Sequence, residues 1–416
     1  MKQEIPRNST EKPPENRIFM MVVGLLITVV MGMMYAFSIF IIPLESTFGW
    51  ARHQTAMTFS LLLVFFALGM LTSGNFIARI GPAKTVSLGG LLSAAGFILA
   101  SFTPNLPVLY LGYGIMGGYG IGLSYLVSTA AMLRWFPDKK GRATGLLTMG
   151  LAFGTFFLGT KLAGGLVSVY GWAVTFRVIA GVFFVVVACG GLLLKFPPPG
   201  YAPPNWTPPA GQAEIWGYKR ANVVKTSTCW LFCLWALCIQ MGGLMIIGHV
   251  VPYAVENGIN QADAALAMGG YAIANGFGRL IFGWLNDKIG LKPTMLLDSA
   301  LMGGALVSMV YLLKLAEYPG LFVAACLVGL AYGGAVPMLV MSTNTFFGPK
   351  FFPENYGFFC LPGGVIGGLL GPALGGYIQT MTGSYIAAFF FAAALAGVGL
   401  AVAAILKPPS RRTDDA

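Results

Sequence analysis

Twelve long apolar runs leave this chain few ways to fold. They fall at about 18–43, 53–78, 84–102, 107–133, 143–168, 172–195, 228–256, 262–286, 293–315, 319–346, 355–380 and 382–406 of 416 residues. A helix crossing a bilayer needs about 20 apolar residues, so each run is long enough to span. The runs are continuous rather than alternating, which excludes a transmembrane strand barrel. Only 9% of the residues are charged, whereas 56% are hydrophobic. A soluble domain runs near 25% charged, so this chain could not cover its own surface with polar groups. Disorder is excluded on the same ground. The expected fold class is an all-α membrane protein of twelve transmembrane helices.

The formal net charge of +11 raises the question of a nucleic-acid partner, but the basic residues sort by side of membrane. Twenty of the 25 Lys and Arg fall in the tails and in the loops near 79–84, 134–142, 195–225, 288–292 and 350. The opposite loops hold only Arg52 and Lys314, while Lys161, Arg177 and Arg279 fall inside apolar runs. That asymmetry predicts both termini and the central loop in the cytoplasm of a cell (inner) membrane. The charge is topology signal, and no nucleic-acid partner is expected. The polar first 17 residues lack a cleavage site and do not read as a secretory signal peptide. All six cysteines lie in apolar runs without a C-x-x-C spacing. They read as free core thiols, and no metal or other cofactor is implied.

The chain divides into an N-terminal tail (1–17), six helices (18–195), a linker (196–227), six more helices (228–406) and a C-terminal tail (407–416). Seven prolines in the linker forbid a regular helix in its first half, while 214–225 suits a short interfacial helix. The two halves repeat. Gly74-Asn-Phe-Ile-Ala78-Arg79-Ile-Gly81 matches Gly283-Trp-Leu-Asn-Asp287-Lys288-Ile-Gly290 at an offset of 209, as Pro43 matches Pro252. Gly145, Gly159, Leu162 and Gly164 match Gly357, Gly371, Leu374 and Gly376 at 212. Parallel repeats of this kind place a substrate at the midplane between two pseudo-symmetric six-helix bundles.

The loop G-x-x-x-D-[RK]-x-G-x-[RK], complete at Gly283, Asp287, Lys288, Gly290 and Lys292, resembles the motif of the major facilitator superfamily. The first copy keeps Gly74, Arg79, Gly81 and Lys84 but carries Ala78 at the Asp position. Gly367-x-x-x-Gly371-Pro372-x-x-Gly375-Gly376 resembles a further helix motif of the superfamily. Tyr35-Ala-Phe-Ser-Ile-Phe, Pro43-Leu44, Phe48-Gly49-Trp50, Arg134-Trp-Phe-Pro-Asp-Lys-Lys-Gly141 and Asn355-Tyr356-Gly357-Phe358-Phe359 are similar to monocarboxylate porters and the oxalate–formate antiporter group. Within that group the likeness points to bacterial proton-coupled lactate transporters. The resemblance implies the major facilitator fold, a small monocarboxylate as substrate (L-lactate or pyruvate), and symport with a proton.

Arg279 is the residue most informative about function. It lies deep in the eighth run, where a charge costs about 2.5–3.5 kcal/mol on insertion scales. No Asp or Glu lies at a matching depth in the sequence. A central cation without an acid suggests a partner from outside, and its planar fork fits one carboxylate. A structural arginine bonded to backbone carbonyls is the alternative. Asn275, one turn earlier on the same face, suits a hydroxyl or carboxylate oxygen, or else an interhelical clasp. Tyr119 and Tyr332 sit at the centres of runs four and ten beside glycines that leave room for a ligand. They read as corresponding positions, each a substrate contact or a core aromatic. Phe359, one turn from Gly363, reads as a cavity wall or a core ring. The resemblance places Asn275 and Tyr35 where animal relatives carry an aspartate and a lysine, and Gly363 where the oxalate–formate antiporter carries a lysine. One central cation balances one carboxylate, which favours a monoanion.

The expected function is therefore alternating-access symport of a monocarboxylate with a proton, by a monomer in the bilayer. The site expected for it is Arg279, Asn275, Tyr119, Tyr332, Phe359 and Tyr35. An oxalate–formate type exchanger and an exporter of hydrophobic compounds are the alternatives. No enzyme is expected, because the sequence supplies only His53 and His249 and no nucleophile–base pair or metal cluster near the midplane.

Overall fold

Two positions of the repeated loop motif set where helices must end. Gly81 and Gly290 both take φ near +80° (80° and 85°), a left-handed backbone that a side chain disfavours. They break the chain at matching places in the two halves. The structure, a computed structural model, describes residues 16–198, 200–203 and 216–409. Expectations for the tails' outer residues, for most of the linker and for the Lys161 side chain fall outside the described residues.

The described residues form helices and no strand. In chain order they are α1 (16–48), α2 (52–80), α3 (82–101), α4 (106–135), α5 (140–170) and α6 (172–191). The second half holds α7 (Ser227–Glu256), α8 (Gln261–Ile289), α9 (291–316), α10 (318–347), α11 (352–382) and α12 (Tyr385–Ile405). Gly171 and Glu317, both at positive φ, separate α5 from α6 and α9 from α10. In the linker a single turn, Arg220–Val223, stands where a longer interfacial helix was expected. Nine stretches among the described residues are long and apolar enough to cross a membrane, and one, Met57–Ser101, contains both α2 and α3. The remaining two helices are α5 and α8, and they face each other at the centre of the molecule.

Each half packs as its own six-helix group, α2 on α4 in the first and α8 on α10 in the second. Glycine sets the closeness of both pairs. A Cβ on Gly278 would stand 2.1 Å from the Leu330 carbonyl oxygen, and one on Gly333 would stand 2.1 Å from that of Asn275. The first half repeats this with Gly69 on Tyr119 and Gly122 on Phe66, at 2.2 and 2.1 Å. Backbone-to-backbone packing of this sort supplies dispersion contact where lipid offers no hydrophobic drive.

The two halves meet at the end of the molecule that carries the termini. There α5 packs on α8: a Cβ on Gly141 would stand 2.0 Å from the Gly283 carbonyl oxygen, and one on Gly145 would stand 2.4 Å from that of Arg279. On the other side α2 packs on α11, with Gly74 against Pro353 and Glu354, and Leu71 against Gly357. Toward the opposite face the halves part around a cavity of about 730 Å³. The molecule is sealed on the side of its termini and open on the other.

Candidate functional site

Arg279 is 8% exposed and sits at the sealed end of the cavity. Its Nε donates to Asn275 Oδ1 at 3.3 Å, and its Nη1 donates to the Thr148 carbonyl at 2.6 Å. The second bond crosses from α8 to α5 and so joins the two halves. No described acid pairs with Arg279, and Nη2 bonds to no described residue. Both sequence readings of this arginine therefore have a physical counterpart. Nη1 holds a backbone carbonyl, Nε holds Asn275, and Nη2 has no described partner.

Four of the six expected site residues line the same cavity: Arg279, Asn275, Tyr332 and Tyr35. Asn275 spends its oxygen on Arg279, which leaves its amide Nδ2 as donor. Tyr332 is held between Tyr271, stacked at 6.4 Å, and Gly243, whose missing side chain makes room for the ring. Tyr271 in turn donates to the Gly243 carbonyl at 3.2 Å. The phenols of Tyr35, Tyr125, Tyr271 and Tyr332 all lie within electrostatic reach of the Arg279 guanidinium.

The other two lie elsewhere. Tyr119 hydrogen-bonds Thr72 Oγ1 at 2.8 Å and ties α4 to α2 behind the cavity. The glycine contacts give the reason. Gly278 on Leu330 corresponds to Gly69 on Tyr119, so the structural offset between α4 and α10 is 211. Tyr119 is then the counterpart of Leu330, and the partner of Tyr332 is Ile121. The expected pairing of Tyr119 with Tyr332 was two residues out of register. Phe359 is fully buried between Phe232 and Phe347, with ring centroids at 4.8 and 5.0 Å. The α11 face toward the cavity is Tyr356, Cys360 and Gly364, each one turn apart. Gly363 packs against Gln240 of α7 and not into the cavity. Phe359 and Gly363 are themselves one turn apart, so they share the α11 face that packs on the second-half core and not the face of Tyr356, Cys360 and Gly364.

Five polar lining residues are absent from the expected site: Gln240, Tyr125, Thr155, Tyr271 and Tyr356. Gln240 is an amide inside the apolar run of α7, a signal available in the sequence. Tyr125 and Tyr356 meet at the cavity between α4 and α11. Nothing in the sequence marked Tyr125 among the 16 tyrosines, whereas Tyr356 belongs to the family-like run Asn355–Phe359. The remaining walls are mostly apolar, with Phe59, Phe66, Met70, Phe153, Phe156 and Met268 among them. No group of His, Cys, Asp and Glu among the described residues could hold a metal ion.

One turn of α8 beyond Arg279 comes Gly283, and one turn further Asp287. Asp287 Oδ1 accepts from the Gly141 N–H at 2.8 Å and Oδ2 from the Arg142 N–H at 2.9 Å. The carboxylate thus caps the first turn of α5, where free amides and the helix dipole favour a negative charge. The opposite junction lacks this cap, since Ala78 stands in the first motif copy. There α11 carries its own Glu354 in its first turn, paired with Arg220 at 3.4 Å.

Comparison with known proteins agrees with this architecture. The chain is 24% identical to the oxalate:formate antiporter of Oxalobacter formigenes over 94% of this chain and 92% of that one. It is 29% identical to monocarboxylate transporter 3 of Rattus norvegicus over 90% and 77% of the two chains. Among solved structures, the fucose:proton symporter FucP of E. coli superposes with a TM-score of 0.73 at 14% identity, covering 94% of this chain and all of that one. The family model of the Major Facilitator Superfamily matches residues 23–256 and 231–416. A likeness that runs through both halves, on a fold of two six-helix groups around one cavity, makes this chain a member of the Major Facilitator Superfamily.

Proposed function

We propose that the protein is a secondary transporter that carries small monocarboxylates, L-lactate first among them, together with a proton. The observation that carries this reading is Arg279: a buried guanidinium facing a cavity, with no described acid paired to it. A carboxylate satisfies its free nitrogen by a charge-assisted bond, and hydrogen bonds of that kind are worth about 1.5–3 kcal/mol. Asn275 Nδ2 and the phenols of Tyr35 and Tyr332 offer contacts to a hydroxyl or to the second carboxylate oxygen. The apolar walls suit a short carbon chain. A single cation suits a monoanion and leaves a dianion half compensated.

The same arginine supports a route to alternating access. A substrate carboxylate competes with the Thr148 carbonyl for the guanidinium, and that bond is one of the ties between the halves. Binding loosens the seal on the termini side and lets the halves rock about the site. By the distribution of basic residues the sealed side is cytoplasmic and the open side external.

Uptake of labelled L-lactate into proteoliposomes under an inward proton gradient tests the reading. Arg279→Gln lowers saturable uptake at least tenfold, and Arg279→Lys lowers it substantially, because the charge stays but the fork is lost. Uptake by a folded Gln variant within twofold of wild type removes Arg279 from the site. A second reading, export of hydrophobic compounds, has the phenylalanine-rich walls in its favour. It requires cargo movement that is indifferent to Arg279→Gln.

A further inference from the structure

The described lining of the cavity contains no carboxylate, so a carboxyl that holds a transported proton lies outside it. Asp298, in the second turn of α9, has 0% exposure, and neither of its oxygens has a hydrogen-bond partner. It points at Gly334 of α10: a Cβ there would stand 2.2 Å from Asp298 Oδ1 and 2.6 Å from the Phe282 ring of α8. Gly334 lies between Tyr332 and Val336, which both line the cavity. Asp298 is therefore placed directly behind the cavity wall. The helices around it supply no countercharge. On α8, Arg279 is bonded to Asn275 and Thr148, and Asp287 to the Gly141 and Arg142 amides. Lys288 of α8 lies over the Trp284 ring at the end of the helix. Tyr332 of α10 faces the cavity. Trp235 of α7 bonds the neighbouring Ser299 at 3.0 Å, and α12 meets α9 through Ala396 at Gly303.

Helix packing does not call for an acid at this place. At the repeat offset of 209 the first half carries Gly89, close against Gly120 and Ser124. An ionised carboxylate without a partner costs several kcal/mol in such surroundings, and the group takes up a proton instead. Asn286, one turn beyond Phe282 on α8, also keeps a buried Oδ1 without a partner. Asp298 is seven residues from the start of α9, about 10 Å along the helix axis, on the side where the halves are sealed.

We propose that Asp298 is the proton-carrying group of this transporter. The proposal rests on the reading of the chain as a proton symporter. While the termini side is sealed, Asp298 is dry and holds the proton as COOH. When that side opens, water reaches the α8–α9–α10 junction past Phe282 and Asn286, and the O–H bond gives up its proton to leave COO⁻. Return to the sealed state requires protonation again, which prevents a free cycle without a proton.

Two measurements test it. Infrared difference spectra of purified wild type and Asp298→Asn at neutral pH should contain the C=O stretch of a protonated carboxyl in the wild type only. This readout needs no substrate, so it stands whether or not lactate is transported. Absence of that band overturns the proposal. In proteoliposomes, the ratio of proton-gradient-driven uptake to lactate–lactate exchange should fall at least tenfold in Asp298→Asn, and a ratio within twofold of wild type overturns it. If the Asn variant does not fold, Asp298→Ser, whose smaller side chain leaves more room at Gly334, takes its place in both measurements. If wild type moves no monocarboxylate at all, the symport reading fails while the infrared result still decides the protonation of Asp298.

Discussion

Asp287 offers the most direct test of how the halves are held shut. Its two carboxylate oxygens accept from consecutive amides at the start of α5, at 2.8 and 2.9 Å, and both donors belong to the other half of the molecule. Asp287→Ala removes both bonds and the charge at the helix N-terminus. Losing a side chain that caps a helix costs about 0.5–2 kcal/mol, and bonds to a charged acceptor lie toward the upper end. Asp287 is exposed on its outer side, so screening discounts the charge part. About 1.5 kcal/mol remains, which moves the ratio of sealed to open molecules roughly tenfold toward open. The Gly141–Gly283 packing and the Arg279–Thr148 bond stay in place, so the seal weakens and does not vanish. Spin labels at exposed Lys84 and Lys292, one in each half on the termini side, read this by pulsed electron resonance. The long-distance population should grow in Asp287→Ala, and Asp287→Glu should fall between it and wild type. A distance distribution identical to wild type in a folded Ala variant would show that the cap carries none of the seal.

Gly364 faces the cavity with nothing within 4 Å of a Cβ placed on it, so Gly364→Lys adds a second cation opposite Arg279. Bound lactate then leaves one charge uncompensated, and the ratio of inhibition by oxalate to inhibition by lactate should rise; an unchanged ratio counts against specificity set by a single cation. Phe359→Ala, deep in the second-half core, should destabilise by about 3–5 kcal/mol in thermal unfolding with the competitor profile unaltered. Tyr119→Phe should leave the lactate KM within twofold, because its hydroxyl serves Thr72.

The architecture was largely legible in the sequence because its causes are local. Run length and glycine at the helix breaks each act within about 20 residues. The repeat was legible too, but only to within a residue or two. Between α4 and α10 the offset is 211, and in the sequence a Gly-Gly pair beside a tyrosine at offset 213 looked just as good. Two residues on a helix is a rotation of about 200°, enough to turn Tyr119 away from the cavity. The same sensitivity applies to Phe359 and Gly363, which share the core-packed face of α11 one residue round from the cavity face of Cys360 and Gly364. Arg279 was safe from such slips because its burial is costly at any rotation, and a charge that deep needs a reason. Asp298, an acid inside the apolar run 293–315, carries the same kind of signal. What the sequence did not give is that it lies at the back of α10 rather than at the surface.

Asn275, Arg279, Gly283 and Asp287 were read as members of two features, a binding site and a loop motif. In the folded chain they are one line, spaced by four residues along α8. Opposite them α5 presents Ala152, Thr148, Gly145 and Gly141, running the other way. The two ends of the line do different work. At Asp287 and Gly283 the halves touch through capped amides and bare backbone, with no room for a ligand. At Asn275 and Arg279 they part around the cavity, and a single bond to the Thr148 carbonyl still crosses. A ligand that takes the guanidinium acts on the last tie before the seal begins, so it pulls at the end of the row that is easiest to open. The neighbouring contacts at Gly283 and Gly145 are steric, and a backbone contact with no side chain between has little slack. The second junction, α2 on α11, lacks both the carboxylate cap and a central cation. On the function proposed above, that asymmetry makes α5–α8 the side on which substrate biases the equilibrium, with α2–α11 following.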